Sequence, residues 1–485
     1  MKKFYVTTPI YYVNDKPHIG TAYTTIAADV LARYYRLNYG TDNVFFLTGT
    51  DEHGLKIQQK AESLGKKPKE FCDKIVGQFK ETWDLLNIDY DSFIRTTDPE
   101  HEKAVKEVLQ KLYNEKFIYE GQYEGLYCVG CEQFKAKADL TEGKCIEHNC
   151  QPEVRKEKAW LFKMSKFQKD LLKKIRKDEL KIEPESRKNE IISFLEKEKL
   201  HDLAISRPKE QVYWGIELPF DKTQTIYVWV DAFLNYLTGL GWPKKKDKYQ
   251  KYWPPDVQMM GKDILRVHTT IWPSLLLALD EKLPKKIFIN GFLSVDGQKM
   301  GKSLGNAVDP AEVAKKYGAD TLRYFLLREI PFGRDGDFSI KKLEERYNDD
   351  LGNDLGNLLQ RTLVMINKYE IKIERNKKPF FDKKEEQKII TEKEMLDKDI
   401  ENLNFQKSLV FIWDTIRFCN RKIDEVKPWE LAKNDKVMLG QFLNAIYSIL
   451  ADIVELLEPF MPETSEKMKK QLKSLKPEPL FPKLK

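Results

Sequence analysis

The sequence predicts an α/β protein: a parallel sheet split by a cysteine-bearing insertion and followed by a helical bundle. A strand–helix–strand order opens the chain. The same rhythm returns near residue 226, after an interruption that holds four of the six cysteines. Beyond about residue 340 the strand-like segments stop.

Each element follows from local pattern. FYVTT (4–8) is β-rich, and PIYYVNDKP, with two prolines, reads as a turn-like loop. From His18 to about Leu37 the apolar residues Ile26, Val30, Leu31 and Tyr34 have helical spacing. VFFLT (44–48) is the second strand, which completes a parallel βαβ unit. Residues 115–210 carry the cysteines and then a Lys/Glu-rich helical stretch, the expected insertion. Strands resume at IYVWV (226–230), VQMM (257–260) and IFINGF (287–292). The resulting divisions are 1–114 and 211–304 as two halves of one sheet domain, 115–210 as the insertion, 305–341 as a linking segment and 342–485 as the bundle. Residues 373–396 are charged and read as a mobile connection. A chain of 485 residues fits about three domains of ~150 residues each.

Composition narrows the class. Hydrophobic residues make up 41%, enough for real cores, and no uninterrupted apolar run approaches the ~20 residues of a membrane span. MKKFYVTTPIYY reads as a strand and lacks the apolar region and cleavage site of a signal peptide. The expectation is a cytoplasmic protein without a membrane. Lys and Arg number 83 against 76 Asp and Glu, a net charge of +7 that is compatible with a polyanionic partner and proves none. In a reducing compartment clustered cysteines read as a metal site, while the isolated Cys72 and Cys419 read as packing residues.

Three segments carry chemistry. Pro17-His18-Ile19-Gly20-Thr21 sits where loop becomes helix. A helix N-terminus presents free N–H groups to phosphate, Gly20 allows close approach, and His18 can donate a hydrogen bond. Lys299-Met300-Gly301-Lys302-Ser303 places two lysines in a glycine-bearing loop able to close over a triphosphate. Cys128-x-x-Cys131, followed by Cys145, His148 and Cys150, offers five donors for a closed, structural zinc site of four. The first two, taken alone, have bland readings, a structural turn and a solvated basic loop, and Trp229 and Tyr236 taken alone read as ordinary core residues.

Together, and in this order around a split βαβ sheet, the first two segments resemble the HIGH and KMSKS motifs of class I aminoacyl-tRNA synthetases. VTTPIYYVNDKPHIG, TGTDEHG (48–54), YVWVDAFLNY (227–236) and GKDILRVHTTIWP (261–273) resemble the methionine-specific members in particular. The resemblance covers nearly the whole chain. It implies a Rossmann-like catalytic domain, an anticodon-binding bundle, and ligation of methionine to tRNA(Met) through methionyl-adenylate, with magnesium on the ATP phosphates. It implies catalysis by His18, Lys299 and Lys302, and ATP binding by these with Gly20, Thr21, Asp263 and Ser303. Ile10, Tyr12, Trp229, Ala232, Tyr236 and His268 would line a pocket for the methionine side chain, a polarisable thioether that packs well on rings. Asp51 would hold its ammonium group. The family pattern selects Cys128, Cys131, Cys145 and His148 as zinc ligands, with Cys150 a rival for the fourth place. NDDLGNDLGNLLQR (348–361) resembles the start of the anticodon domain, where Asn357 and Arg361, four apart on one helix face, would read anticodon bases. Trp429 reads as a packing residue. Of the six histidines, only His101 and His201 lie outside these segments.

The chain departs from the family at Thr21, in place of the second histidine, and at Gly301, in place of the first serine. These two changes are the support for an alternative, a non-catalytic tRNA-binding paralogue. A class I enzyme for another amino acid is a second alternative: the stretch between the sheet halves is short for an editing insertion, and TTPIYYVND lacks the cysteine of the cysteine enzyme. A small-molecule nucleotidyltransferase is a third, which the long helical C-terminal region disfavours. A second match to the loop motif, Lys163-Met164-Ser165-Lys166, lies in an apparent amphipathic helix of the insertion and is the wrong context for catalysis. No further C-terminal tRNA-binding domain is expected, and so a monomer.

Overall fold

A computed structural model describes residues 2–131, 133–135, 140–146, 148–300, 305–374, 380–382, 385 and 394–484. Gly301, Lys302 and Ser303 lie outside the described residues, as does most of the 373–396 connection. The chain groups into two compact units. The first comprises residues 1–17, 38–81 and 89–290. The second comprises 18–37, 82–88 and 291–485, and so takes in nearly all of helix α1 (Ile19–Tyr39).

The first unit is built on a six-stranded sheet: β1 (Phe4–Tyr12), β2 (Val44–Asp51), β3 (Ser92–Arg95), β4 (Lys181–Glu183), β5 (Val257–Gly261) and β6 (Lys286–Asn290), in the order β3-β2-β1-β5-β6-β4. Every neighbouring pair is parallel. Val44 to Thr50 are all buried, as expected for strands covered on both faces. The strand order reverses between β1 and β5, and in such sheets the crevice outside the strand carboxyl ends at that reversal is where ligands bind. β4 comes from within residues 115–210, so part of that segment returns to the main sheet. The rest forms a long antiparallel hairpin, Ile118–Cys128 against Glu153–Phe162. Helices α2 (Pro99–Asn114), α3 (Val228–Phe233) and α4 (Leu265–Ala278) complete the parts of this unit that matter below. Its core includes Phe233, Tyr236, Trp272, Leu276 and Ile287.

Three local expectations change. Strand β1 continues through PIYY to Tyr12, with a register shift between Thr7 and Ile10. Pro9 sits inside that irregularity, where a proline's missing N–H interrupts no ladder bond. IYVWV leaves the strand after Ile226 and turns helical from Val228, with the Val230 N–H on the Tyr227 carbonyl at 2.9 Å. The Lys163–Lys166 segment follows directly on the strand that ends at Phe162. It forms a short 3₁₀ turn with Met164 and Phe167 buried, its Ser165 hydroxyl on Asp202 at 2.6 Å and its Lys166 over the Phe117 ring at 4.7 Å.

In the second unit a small sheet joins Leu293–Val295 to Gln298–Lys299 and to Gly336–Phe338. Helix α5 (Ala319–Glu329) follows residues 305–318 and places Arg323 at zero exposure. Its guanidinium donates to Asp29 Oδ2 of α1 at 2.6 Å and to the carbonyls of Pro459 and Phe460 at 2.9 Å. The bundle then runs through a π-helix (Tyr347–Gly356), α6 (Asn357–Lys368), α7 (Phe405–Val426), α8 (Pro428–Asn434), α9 (Lys436–Leu457) and α10 (Pro462–Ser474). By length and composition α9 is apolar enough to cross a membrane. Here Leu439, Phe442, Leu443, Ile446 and Leu450 are buried, as in the central helix of a bundle.

Candidate functional site

The residues expected to bind the small molecules stand at strand ends and on neighbouring helices of the first unit. Ile10 and Tyr12 end β1, and Tyr12 is in register with Asp51, the last residue of β2. Asp263 follows Gly261, where β5 ends, in a short 3₁₀ turn leading into α4. On the helical side Trp229, Phe233, Tyr236 and His268 form an aromatic cluster, and Ala232 is buried on the same helix as Trp229. His268 meets the Phe233 ring edge-to-face at 4.8 Å and the Trp229 ring at 6.4 Å. Ile10 and Trp229 are partly buried against the same core that contains Tyr236.

His268 has a fixed proton arrangement. Its Nδ1–H donates to the Ile264 carbonyl at 2.9 Å, since a carbonyl only accepts, and Nε2 then accepts from the Tyr236 hydroxyl at 3.0 Å. Burial pushes the imidazole down to about 4, against the weaker raising effect of the Ile264 bond. The ring therefore stays neutral at physiological pH, suited to an uncharged, polarisable side chain.

Behind these residues lies a buried set that sequence reasoning missed. His53 Nδ1 meets one oxygen of Asp231 at 2.6 Å, and His101 Nε2 meets the other at 2.8 Å. His101 Nδ1 contacts the Thr238 hydroxyl at 2.7 Å. All three are almost fully buried. Burial alone raises the Asp231 carboxyl, but the His53 charge and the imidazole hydrogen bonds outweigh it and hold it below the usual carboxylate range. Burial alone lowers His53, and Asp231, followed by Glu102 and Glu52, outweighs that and raises it. Glu52, also fully buried, accepts a two-pronged bond from Arg95 at 2.6 and 2.8 Å and hydroxyls from Thr50 and Thr97. The sequence signals for this set were indirect: His53 and Asp231 fall inside the TGTDEHG and YVWVDAFLNY segments, and His101 had no other role.

The phosphate-type residues lie in the second unit. Gly20 N–H donates to His18 Nδ1 at 3.1 Å, so the histidine caps α1 and in its neutral form carries its proton on Nε2. A Cβ at Gly20 would meet the His18 ring at 3.0 Å. The Thr21 hydroxyl donates to the His18 carbonyl at 2.7 Å and lies 3.0 Å from the His18 N–H. Thr21 thus closes the helix start. Lys299 is exposed at the end of the hairpin that opens the second cationic loop. The turn between the hairpin strands has Asp296 and Gly297 at positive φ (48° and 77°), and Asp337 accepts from both Ser294 Oγ (2.6 Å) and Gly297 N (2.8 Å).

The cysteine cluster sits at the tip of the long hairpin. Ligand atoms of Cys128, Cys131, Cys145 and His148 all lie within 4.8 Å of one another. Sulfur and imidazole donors at such spacing suit a closed tetrahedral zinc shell. Cys150 approaches Cys128 at 3.3 Å and remains a neighbour of the set. Cys72 and Cys419 are buried, and burial pushes both thiols up to about 12.

In the bundle Asn357 opens α6 and is exposed, while Arg361 pairs with Asp424 at 2.7 Å. Trp429 is 42% exposed on α8, which corrects the expectation that it packs inside. Asn420 bonds the Asp354 carbonyl at 3.0 Å.

The family described as tRNA synthetases class I (M) matches residues 4–146 and 135–363. The methionine–tRNA ligase of Clostridium acetobutylicum is 48% identical over 479 residues, covering 97% of this chain and 73% of that protein. The methionine–tRNA ligase of Caldanaerobacter subterraneus subsp. tengcongensis is 47% identical over 478 residues, with coverage of 97% and 74%. Mycobacterium tuberculosis methionyl-tRNA synthetase in complex with methionyl-adenylate superimposes with a TM-score of 0.91 at 35% identity, covering 99% of this chain and 100% of that one.

Proposed function

This chain belongs to the methionine–tRNA ligases of the class I tRNA synthetase family, and from that premise we propose how its residues divide the reaction. It activates methionine with ATP to methionyl-adenylate and charges tRNA with the methionyl group. The methionine carboxylate attacks the α-phosphate, pyrophosphate leaves, and the terminal ribose hydroxyl of tRNA(Met) then takes the acyl group. No protein nucleophile is required, so the protein contributes positioning and charge stabilisation.

The observation that carries the amino-acid assignment is the neutral His268–Tyr236 pair set among Trp229 and Phe233. Trp229, Ala232, Tyr236, His268, Ile10 and Tyr12 take the thioether side chain, and Asp51 takes the ammonium group. Asp263 binds the ATP ribose. His18, supported by Gly20 and Thr21, meets the phosphates with Lys299, Lys302 and Ser303, and His18, Lys299 and Lys302 stabilise the departing pyrophosphate. Magnesium enters with ATP and offsets phosphate charge. Cys128, Cys131, Cys145 and His148 hold one structural zinc, which stabilises the hairpin tip. Asn357 and Arg361 read anticodon bases, with Trp429 an exposed ring of the kind on which loop bases stack. The sheet domain (1–114 and 211–304), insertion (115–210), linking segment (305–341) and bundle (342–485) divide these tasks. On this reading the enzyme acts as a monomer in the cytoplasm, checked by light scattering and fractionation.

ATP–pyrophosphate exchange with each of the twenty amino acids tests the pocket: exchange with methionine alone is expected, and exchange with another amino acid overturns the assignment. Lys302→Ala is expected to lose exchange by ~100-fold or more, the scale of one preorganised donor. Full activity in the folded variant removes Lys302 from the mechanism.

A further inference from the structure

The His53–Asp231–His101 set is larger than a packing need explains. A buried carboxylate is costly unless both oxygens are satisfied, and here each oxygen has its own imidazole. The three residues come from three separate elements. His53 stands two residues after Asp51 at the end of β2, Asp231 lies on α3 between Trp229 and Ala232, and His101 lies on α2. The outer end of the chain is closed as well, since His101 Nδ1 meets Thr238 at 2.7 Å.

We propose that His101 and Asp231 are positioning residues for methionine recognition, holding the Trp229–Ala232 wall in fixed relation to the strand end that carries Asp51. Neither residue need touch substrate. Asp231 is buried behind α3, gripped from the β2 side by His53 and from α2 by His101. A substrate held by its ammonium group at one end and its thioether at the other requires those two ends at a fixed separation. This carboxylate is the hydrogen-bonded tie between them. The inference rests on the proposed roles of Asp51 and Trp229.

The test is ATP–pyrophosphate exchange on His101→Ala, His101→Gln, Thr238→Val and Trp229→Ala, with KM for methionine, KM for ATP and kcat measured separately. His101→Ala is expected to raise the methionine KM roughly tenfold, with kcat and the ATP KM within about twofold, the factor of ten being the scale of one hydrogen bond to a charged group. His101→Gln, which keeps an N–H for Asp231, restores most of that loss. Thr238→Val removes only the outer contact and moves the methionine KM in the same direction by a smaller factor, about threefold. It serves as the readout where His101→Ala does not fold. An unchanged methionine KM in the folded His101→Ala or Thr238→Val protein, or equal effects on both substrates, overturns the positioning role. If Trp229→Ala also leaves the methionine KM unchanged, the pocket reading itself has failed. A raised KM in Trp229→Ala beside an unchanged one in His101→Ala removes the tie alone.

Discussion

His268 acts as an uncharged aromatic with two assigned hydrogen bonds, and this has a pH signature. In the unfolded chain a histidine takes a proton near pH 6.5, whereas the folded ring resists it down to about 4. As pH falls from 6.5 toward 4 only the unfolded state gains that proton, so the His268 contribution disfavours the fold progressively, by up to about 3 kcal/mol. Urea titrations between pH 7 and 4.5 are expected to show that loss, and His268→Gln should flatten it. At the metal site Gly130 faces His148: a Cβ there would lie 2.6 Å from the imidazole. Gly130→Ala is expected to lower zinc affinity by roughly 10–100-fold, the usual effect of disturbing a ligand's support, measured by competition with a chromophoric chelator. The cysteines were legible because their spacing is local. The buried histidine pair was not, since its contacts to Asp231 span 178 and 130 positions and no local pattern encodes them. Trp429 misled for a related reason: a tryptophan beside a proline looks like packing until burial is known.

Elements were legible where one period dominated. β1, β2, β5 and β6, rich in apolar residues, and α1, with its helical spacing, announced themselves, whereas the short, half-exposed β3 and β4 did not. IYVWV did not, because β-branched and aromatic residues favour a strand, yet the segment is helical from Val228 and sets Asp231 against His53. The π-helix at Tyr347–Gly356 also has no simple period to betray it, though two glycines, Gly352 and Gly356, lie in it. The hairpin before the cationic loop owes its shape to Asp337, which bonds one strand and the turn together. Asp337→Ala frees that hairpin. Exchange turnover is expected to fall roughly tenfold, with the methionine KM unchanged, since a charge-assisted hydrogen bond contributes about 1.5–3 kcal/mol. A fall in methionine affinity instead would mean that the hairpin serves the amino-acid site.

On the scale of the whole molecule, the α/β class and the helical region after residue 340 followed from pattern, whereas the grouping of α1 with residues 291–485 did not. Arg323 shows why. It is a fully buried cation whose partners, Asp29, Pro459 and Phe460, come from both ends of the second unit. Removing one partner of such a pair strands the other charge, so Arg323→Met is expected to destabilise by about 3–5 kcal/mol in chemical denaturation. A change below ~1 kcal/mol would show that Asp29 is satisfied without it, since Arg33 also reaches Asp29 at 2.8 Å.

The central strand pair joins Val6 to Val257. On a ribosome adding about 5–20 residues per second, β5 emerges roughly 10–50 s after β1. β1 can pair early with β2, but its other edge stays open for that interval, an apolar template awaiting a partner. Nascent chains of this protein should therefore engage chaperones until residue 261 has cleared the exit tunnel, and should be most prone to aggregation when synthesis stalls before that point.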